Sequence, residues 1–198
     1  IINRFYELSF LFMICGLTII CFSEEMIKLL TTEEYYPSMY VIPAYVYYYL
    51  FAIPSILASN QRMFVEKLYY EIPLIILSLI INIVLNILLI PKFGAVGAAI
   101  ATAIAALCGN TLGLYYGLRL YPLPLQLSKL VGLYILILVF TGMVYPTMAI
   151  EINFMLKIVI KLLLIFLFAI SCIKLNYISS NRIRNILNRI FYRGFKLS

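Results

Sequence analysis

Charged residues fall along this chain in clusters, separated by uncharged apolar runs at 8–23, 35–61, 72–91, 93–118 and 130–150. A last apolar region from Ile152 to Ile173 is interrupted by Lys157 and Lys161. About 20 apolar residues cross the hydrocarbon of a bilayer as a helix, so each run is a candidate span. The pattern predicts spans at roughly 8–30, 38–58, 70–90, 95–117, 130–149 and 152–174: an all-α integral membrane bundle of about six transmembrane helices within residues 1–176. The first run is the shortest. From 8 to 23 it rises only about 24 Å, so it must borrow Phe5, Tyr6 or the Met26–Leu30 turn.

Composition supports this reading. The chain is 65% hydrophobic and 12% charged, far from the balance that a water-soluble domain needs to cover its surface. Histidine and aspartate are absent, and Cys15, Cys21, Cys108 and Cys172 lie inside apolar segments without CxxC spacing. The expectation is buried structural thiols, with no metal and no cofactor. No nucleophile stands beside a base and no glycine-rich loop is built to cradle phosphate, so an enzyme is not expected. The chain opens at Ile1 without a signal-peptide pattern and reads as part of a longer protein.

Basic residues set the expected orientation. Arg4, Arg62, Lys67, Arg119, Lys129, Lys174 and the tail residues Arg182, Arg184, Arg189, Arg193 and Lys196 fall on one side of the assigned spans, and Lys28, Lys92, Lys157 and Lys161 on the other. Both ends of the chain are therefore expected in the cytoplasm. The tail, 177–198, carries Ile183, Ile186, Leu187, Ile190 and Phe191 on one helical stripe with arginines opposite. This is the pattern of a basic amphipathic segment lying on an anionic inner leaflet, with nucleic acid not expected as a partner.

Several residues inside the spans invite a functional reading beside a packing one. Pro91, Gly94 and Gly97 mark a tight reversal between two antiparallel helices, because proline cannot continue the helix before it and glycine allows the turn. Gly97, Ala101, Ala105, Gly109, Gly113 and Gly117 recur every four residues, a ridge on which another helix can approach closely or slide. Asn82 and Asn86 share a helix face and either hydrogen-bond within the bundle or line a polar cavity. Tyr45 and Tyr48, among Tyr45, Tyr47, Tyr48 and Tyr49, either pack between helices or offer a surface to sugars. Lys161 either snorkels outward with Lys157 or sits deep as a functional charge.

The segment from Asn82 to Thr102, "NIVLNILLIPKFGAVGAAIAT", with Tyr40-Val-Ile-Pro43 and the stretch around Glu66 and Lys67, resembles the polysaccharide flippases. These are the Wzx-type O-antigen and capsule repeat-unit transporters of the multidrug/oligosaccharidyl-lipid/polysaccharide (MOP) superfamily. The resemblance covers most of residues 5–175. It implies the C-terminal helices of a MATE/MOP-like two-lobe transporter in the bacterial cytoplasmic membrane. It further implies a lipid-linked oligosaccharide as cargo and a polysaccharide polymerase as a partner. A cation-coupled multidrug exporter of the same superfamily and a non-transporting assembly subunit are the alternative readings.

Overall fold

The computed structural model of the protein describes residues 2–149 and 153–175, so the tail at 177–198 lies outside the described residues. Among the described residues the chain is helical and carries no strand. Its helices are α1 (Ile2–Cys21), α2 (Ser23–Leu30), α3 (Ile42–Phe64), α4 (Glu71–Leu120), α5 (Leu127–Ala149) and α6 (Phe154–Lys174). Short 3-10 turns at Glu33–Tyr40 and Leu68–Tyr70 precede α3 and α4. Five helical segments, at Arg4–Cys21, Glu33–Phe64, Leu68–Leu120, Leu127–Thr147 and Phe154–Lys174, are long and apolar enough to cross a membrane.

The assigned spans shift where sequence alone set their ends. The first does not run to residue 30. It starts earlier, drawing in Phe5 and Tyr6, and ends at Cys21; Phe22, at φ −98 and ψ 10, separates it from the short α2. The second begins at Ile42 and reaches Phe64, because its polar end at Gln61 and Arg62 finds partners inside the protein. The spans at 70–90 and 95–117 are two arms of α4, folded back on each other at Gly94, whose φ of 55 and ψ of −133 break the helix. A side chain at Gly109 would strike Ser78, one at Gly97 the backbone carbonyl of Leu89, and Asn82 bonds Thr102. Each of these pairs is a step along one antiparallel hairpin. The reversal falls at Gly94 rather than at Pro91, which the first arm accommodates near its end. Only a residue free of a Cβ takes that positive φ without cost.

Two compact units are present among the described residues, 18–125 and 2–17 with 126–149 and 153–175. In the first, α3 buries Ala44, Tyr47, Leu50, Pro54, Ala58, Gln61 and Arg62, a stripe spaced for one helix face. The second arm of α4 buries Gly97, Ala101, Ala105, Gly109, Gly113 and Gly117, the ridge expected from the sequence. Gly117 rests on Ala58, and Phe64 meets Tyr121 at 5.2 Å between rings. Thus α3 and the second arm run in parallel toward the same end, where α3 also meets the start of the first arm.

In the second unit α5 buries Leu130, Leu133, Ile137, Phe140, Val144 and Thr147 at alternating steps of three and four, the spacing of a helix seam. Phe168 of α6 is fully buried, stacks on Phe10 at 6.5 Å and meets Phe140 edge-on at 5.5 Å. The Tyr6 hydroxyl donates to the Gln126 carbonyl at 3.1 Å and accepts from its N–H at 2.9 Å, fixing where α5 begins. Outside these faces both units expose apolar side chains: Ile72, Ile75 and Ile87 on α4, Phe166 on α6. Such continuous apolar surface suits lipid.

The glycine ridge is not uniform, and this is testable. A methyl at Gly117 would lie 2.8 Å from the Ala58 side chain and 2.9 Å from its backbone, and one at Gly97 would overlap Leu89 backbone, whereas at Gly113 the nearest atoms are 3.6 Å away. Gly97→Ala and Gly117→Ala are each expected to lower stability by about 1–3 kcal/mol through overpacking, with Gly113→Ala close to neutral. Unfolding titrations in mixed micelles measure the order; equal losses at all three positions would contradict it.

Candidate functional site

The most polar buried place in the first unit is the end of α3. Arg62 has no exposed surface. Its Nε and Nη2 donate to one carboxylate oxygen of Glu71 at 2.9 and 2.6 Å, and its Nη1 donates to the backbone carbonyl of Gly113. One guanidinium therefore ties α3 to both arms of α4. Beside it Gln61 donates to the Tyr121 carbonyl at 2.6 Å, while its Oε1, buried against Gly117, accepts no hydrogen bond.

Local backbone geometry makes this possible. Lys67 N–H bonds the Arg62 carbonyl and Glu66 N–H bonds the Met63 carbonyl, with Glu66 at φ 57. This is the Schellman ending of a helix, with glutamate in the left-handed place glycine usually fills. The turn brings Glu71 back to face Arg62. An unpaired charge there would be costly, so removing either partner is worse than replacing both.

Arg62 was counted above as a loop charge, and that assignment is corrected: it is an internal ion-pair residue. The available signal was its position, directly after one apolar run, with Glu71 directly before the next. Of the two alternatives for Lys161, the deep one holds. It is fully buried on α6, on the face with Leu164, Phe168 and Cys172, roughly 10 Å along the axis from Phe154, so it does not snorkel. With Arg62 and Lys161 both internal, one basic residue leaves each side of the orientation count.

Asn82 and Asn86 do come together. Asn86 Nδ2 donates to the side-chain Oδ1 of Asn82 at 2.9 Å, Asn82 Nδ2 donates to the Thr102 hydroxyl at 3.2 Å, and the Thr102 hydroxyl donates to the Ala98 backbone carbonyl at 2.9 Å. The ladder stitches the two arms of α4, and Asn86 Oδ1 is buried at its end without a hydrogen-bond donor. Tyr45 and Tyr48 lie off the buried stripe of α3, 48% and 37% exposed, with Tyr48 against Tyr49. Lys161 belongs to the other unit. Of the cysteines, Cys21 and Cys172 are buried, but Cys15 is exposed and Cys108 only half-buried; these two depart from the expected buried thiols because an apolar run fixes a helix's length and not which of its faces is covered. Among the described residues no group of three or more Cys or Glu side chains is placed to hold a metal ion.

The ladder has a direction. Asn82 serves both neighbours, while Asn86 contributes one bond and one unmatched acceptor. Asn82→Ala is expected to cost about 1 kcal/mol, in the range of interhelical hydrogen bonds in membranes, and Asn86→Ala markedly less. The same micellar titration reads both; a larger loss at Asn86 would contradict the assigned ladder. Comparison of the chain with protein-family models, with curated proteins and with solved structures gives no match in any of the three.

Proposed function

We propose that this chain is the C-terminal membrane part of a flippase that moves lipid-linked oligosaccharide repeat units across the bacterial cytoplasmic membrane, with both of its ends on the cytoplasmic side. The observation that carries the reading is the hairpin from Asn82 to Thr102. The residues of the family-like run are the ones that form its turn at Gly94, its close contact at Gly97 and its polar ladder.

A transporter of this kind needs no covalent step. It needs cargo to bind two states unequally, so that occupancy shifts their balance, and helices that repack without losing their polar partners. A row of small residues along one arm, held by a few specific hydrogen bonds, is suited to such movement. Lys161 brings a basic side chain into the interior of its unit. That is chemistry for an anionic phosphate linkage, and such charges inside membrane helices are usually functional. Tyr45 and Tyr48, with exposed rings, suit sugar stacking.

The test is complementation. With the reading frame extended upstream, the protein is expected to restore surface polysaccharide in a flippase-deficient bacterium. Lys161→Met, which keeps the length of the side chain, is expected to reduce polymer at least tenfold while leaving membrane insertion intact. An inserted, stable protein that raises resistance to lipophilic cations and leaves polymer absent would replace this reading with drug export. Loss of partner recovery without any flux would replace it with an assembly role.

A further inference from the structure

The segment between α1 and α3 carries an arrangement that the transport reading does not use. The Ile2–Cys21 helix is about 30 Å long, enough to cross the hydrocarbon once, and α3 begins again at Ile42. Residues 22–41 therefore lie at a membrane face, at the opposite end of α3 from Arg62. Within them α2 buries two polar side chains and exposes its largest apolar ones. Ser23 and Glu24 are buried. Ser23 donates to the Ile20 carbonyl, Lys28 pairs with Glu24 at 2.8 Å, and the Lys28 ammonium lies 5.9 Å from the centre of the Tyr36 ring. The apolar side points outward: Met26 is 44% exposed, Leu30 73% and Leu29 84%. These three stand at the spacing of one helix face.

A helix that buries Glu24, leaves Lys28 half-exposed above it and points Met26, Leu29 and Leu30 outward on the other side is matched on that side to an apolar exterior. We propose that α2 is an interfacial helix that seats Met26, Leu29 and Leu30 in the lipid at this membrane face, its axis along the surface. Two further features fix the occupant as lipid rather than protein or water. The segment is bounded on both sides by helices of membrane-crossing length, so lipid is its immediate neighbour. Beside Leu29 and Leu30 a shallow hollow continues through Thr31 and Thr32 to Tyr35, and an exposed tyrosine at that level is the usual headgroup-depth residue. The charge balance selects the lipid class. Glu24, Glu25, Glu33 and Glu34 stand against Lys28 alone, so the helix is suited to zwitterionic headgroups and gains nothing from anionic ones.

The chain contains no tryptophan, so a single introduced one reports without background. Leu29→Trp and, independently, Leu30→Trp are reconstituted as the full chain into phosphatidylcholine vesicles brominated either near the headgroup end or near the terminus of the acyl chain. Ile80→Trp, exposed at the middle of the first arm of α4, serves as the deep reference and N-acetyltryptophanamide in buffer as the water reference. At a depth of about 5–10 Å, both leucine replacements are expected to show roughly twofold stronger quenching by shallow than by deep bromines, with blue-shifted emission. Quenching favouring deep bromines, as expected for Ile80→Trp, would overturn the interfacial placement. So would emission that neither lipid quenches, whether water-like as for the free indole in buffer or blue-shifted by burial against protein.

Discussion

A guanidinium without water contact is the constraint around which residues 42–120 are arranged. Arg62 must spend its donors on protein, and the acceptors within reach come from two different stretches of chain: the carboxylate of Glu71 and the carbonyl of Gly113. Meeting both demands requires α3 to end where it does and to turn back through a left-handed Glu66. It also requires the second arm of α4 to present backbone at the same level. The small residues then follow from the geometry, since Gly117 lies against Ala58 one turn beyond the ion pair.

The rest of this unit is held by weaker versions of the same logic. Lipid gives helices no hydrophobic reason to associate, so contact depends on close packing and on satisfying polar groups that hydrocarbon cannot. The Asn86–Asn82–Thr102 ladder does this in the middle of the hairpin, and Gln61 does it at the end. The two acceptors left over, Gln61 Oε1 and Asn86 Oδ1, mark the places where the packing is least complete. In the other unit, Phe168 plays the central part by shape alone, with Lys161 buried about two turns away along the same face.

Much of the architecture was legible in the chain because membrane helices announce themselves by length and charge avoidance. The hairpin was legible too, since Gly94 and Gly97 have few roles other than reversal and close approach. The Asn82 and Asn86 pair was seen as a pair, and helix periodicity was enough for that. What periodicity does not carry is partner identity across the fold. Charge counting treats Arg62 as a loop residue because it stands at the end of an apolar run, and only the turn through Glu66 reveals that Glu71 faces it. The outward apolar side of α2 was hidden for a related reason. Its leucines fall inside the span assigned at 8–30, beyond Glu24, Glu25 and Lys28, and nothing in spacing alone shows that the axis breaks at Phe22. The exposure of Tyr45 and Tyr48 likewise depends on which face α3 buries, which is decided by Ala58, Gln61 and Arg62 further along.

Arg62 and Glu71 act as one unit, and a double-mutant cycle measures their coupling. Unfolding free energies are compared for the unaltered chain, Arg62→Met, Glu71→Gln and the double variant in the same micelles. Each single change is expected to cost about 3 kcal/mol, and the double scarcely more than either, because the second removal no longer strands a charge. Single costs that simply add would mean that the two side chains are independent, and the joint that organises α3 and α4 would have to be sought elsewhere.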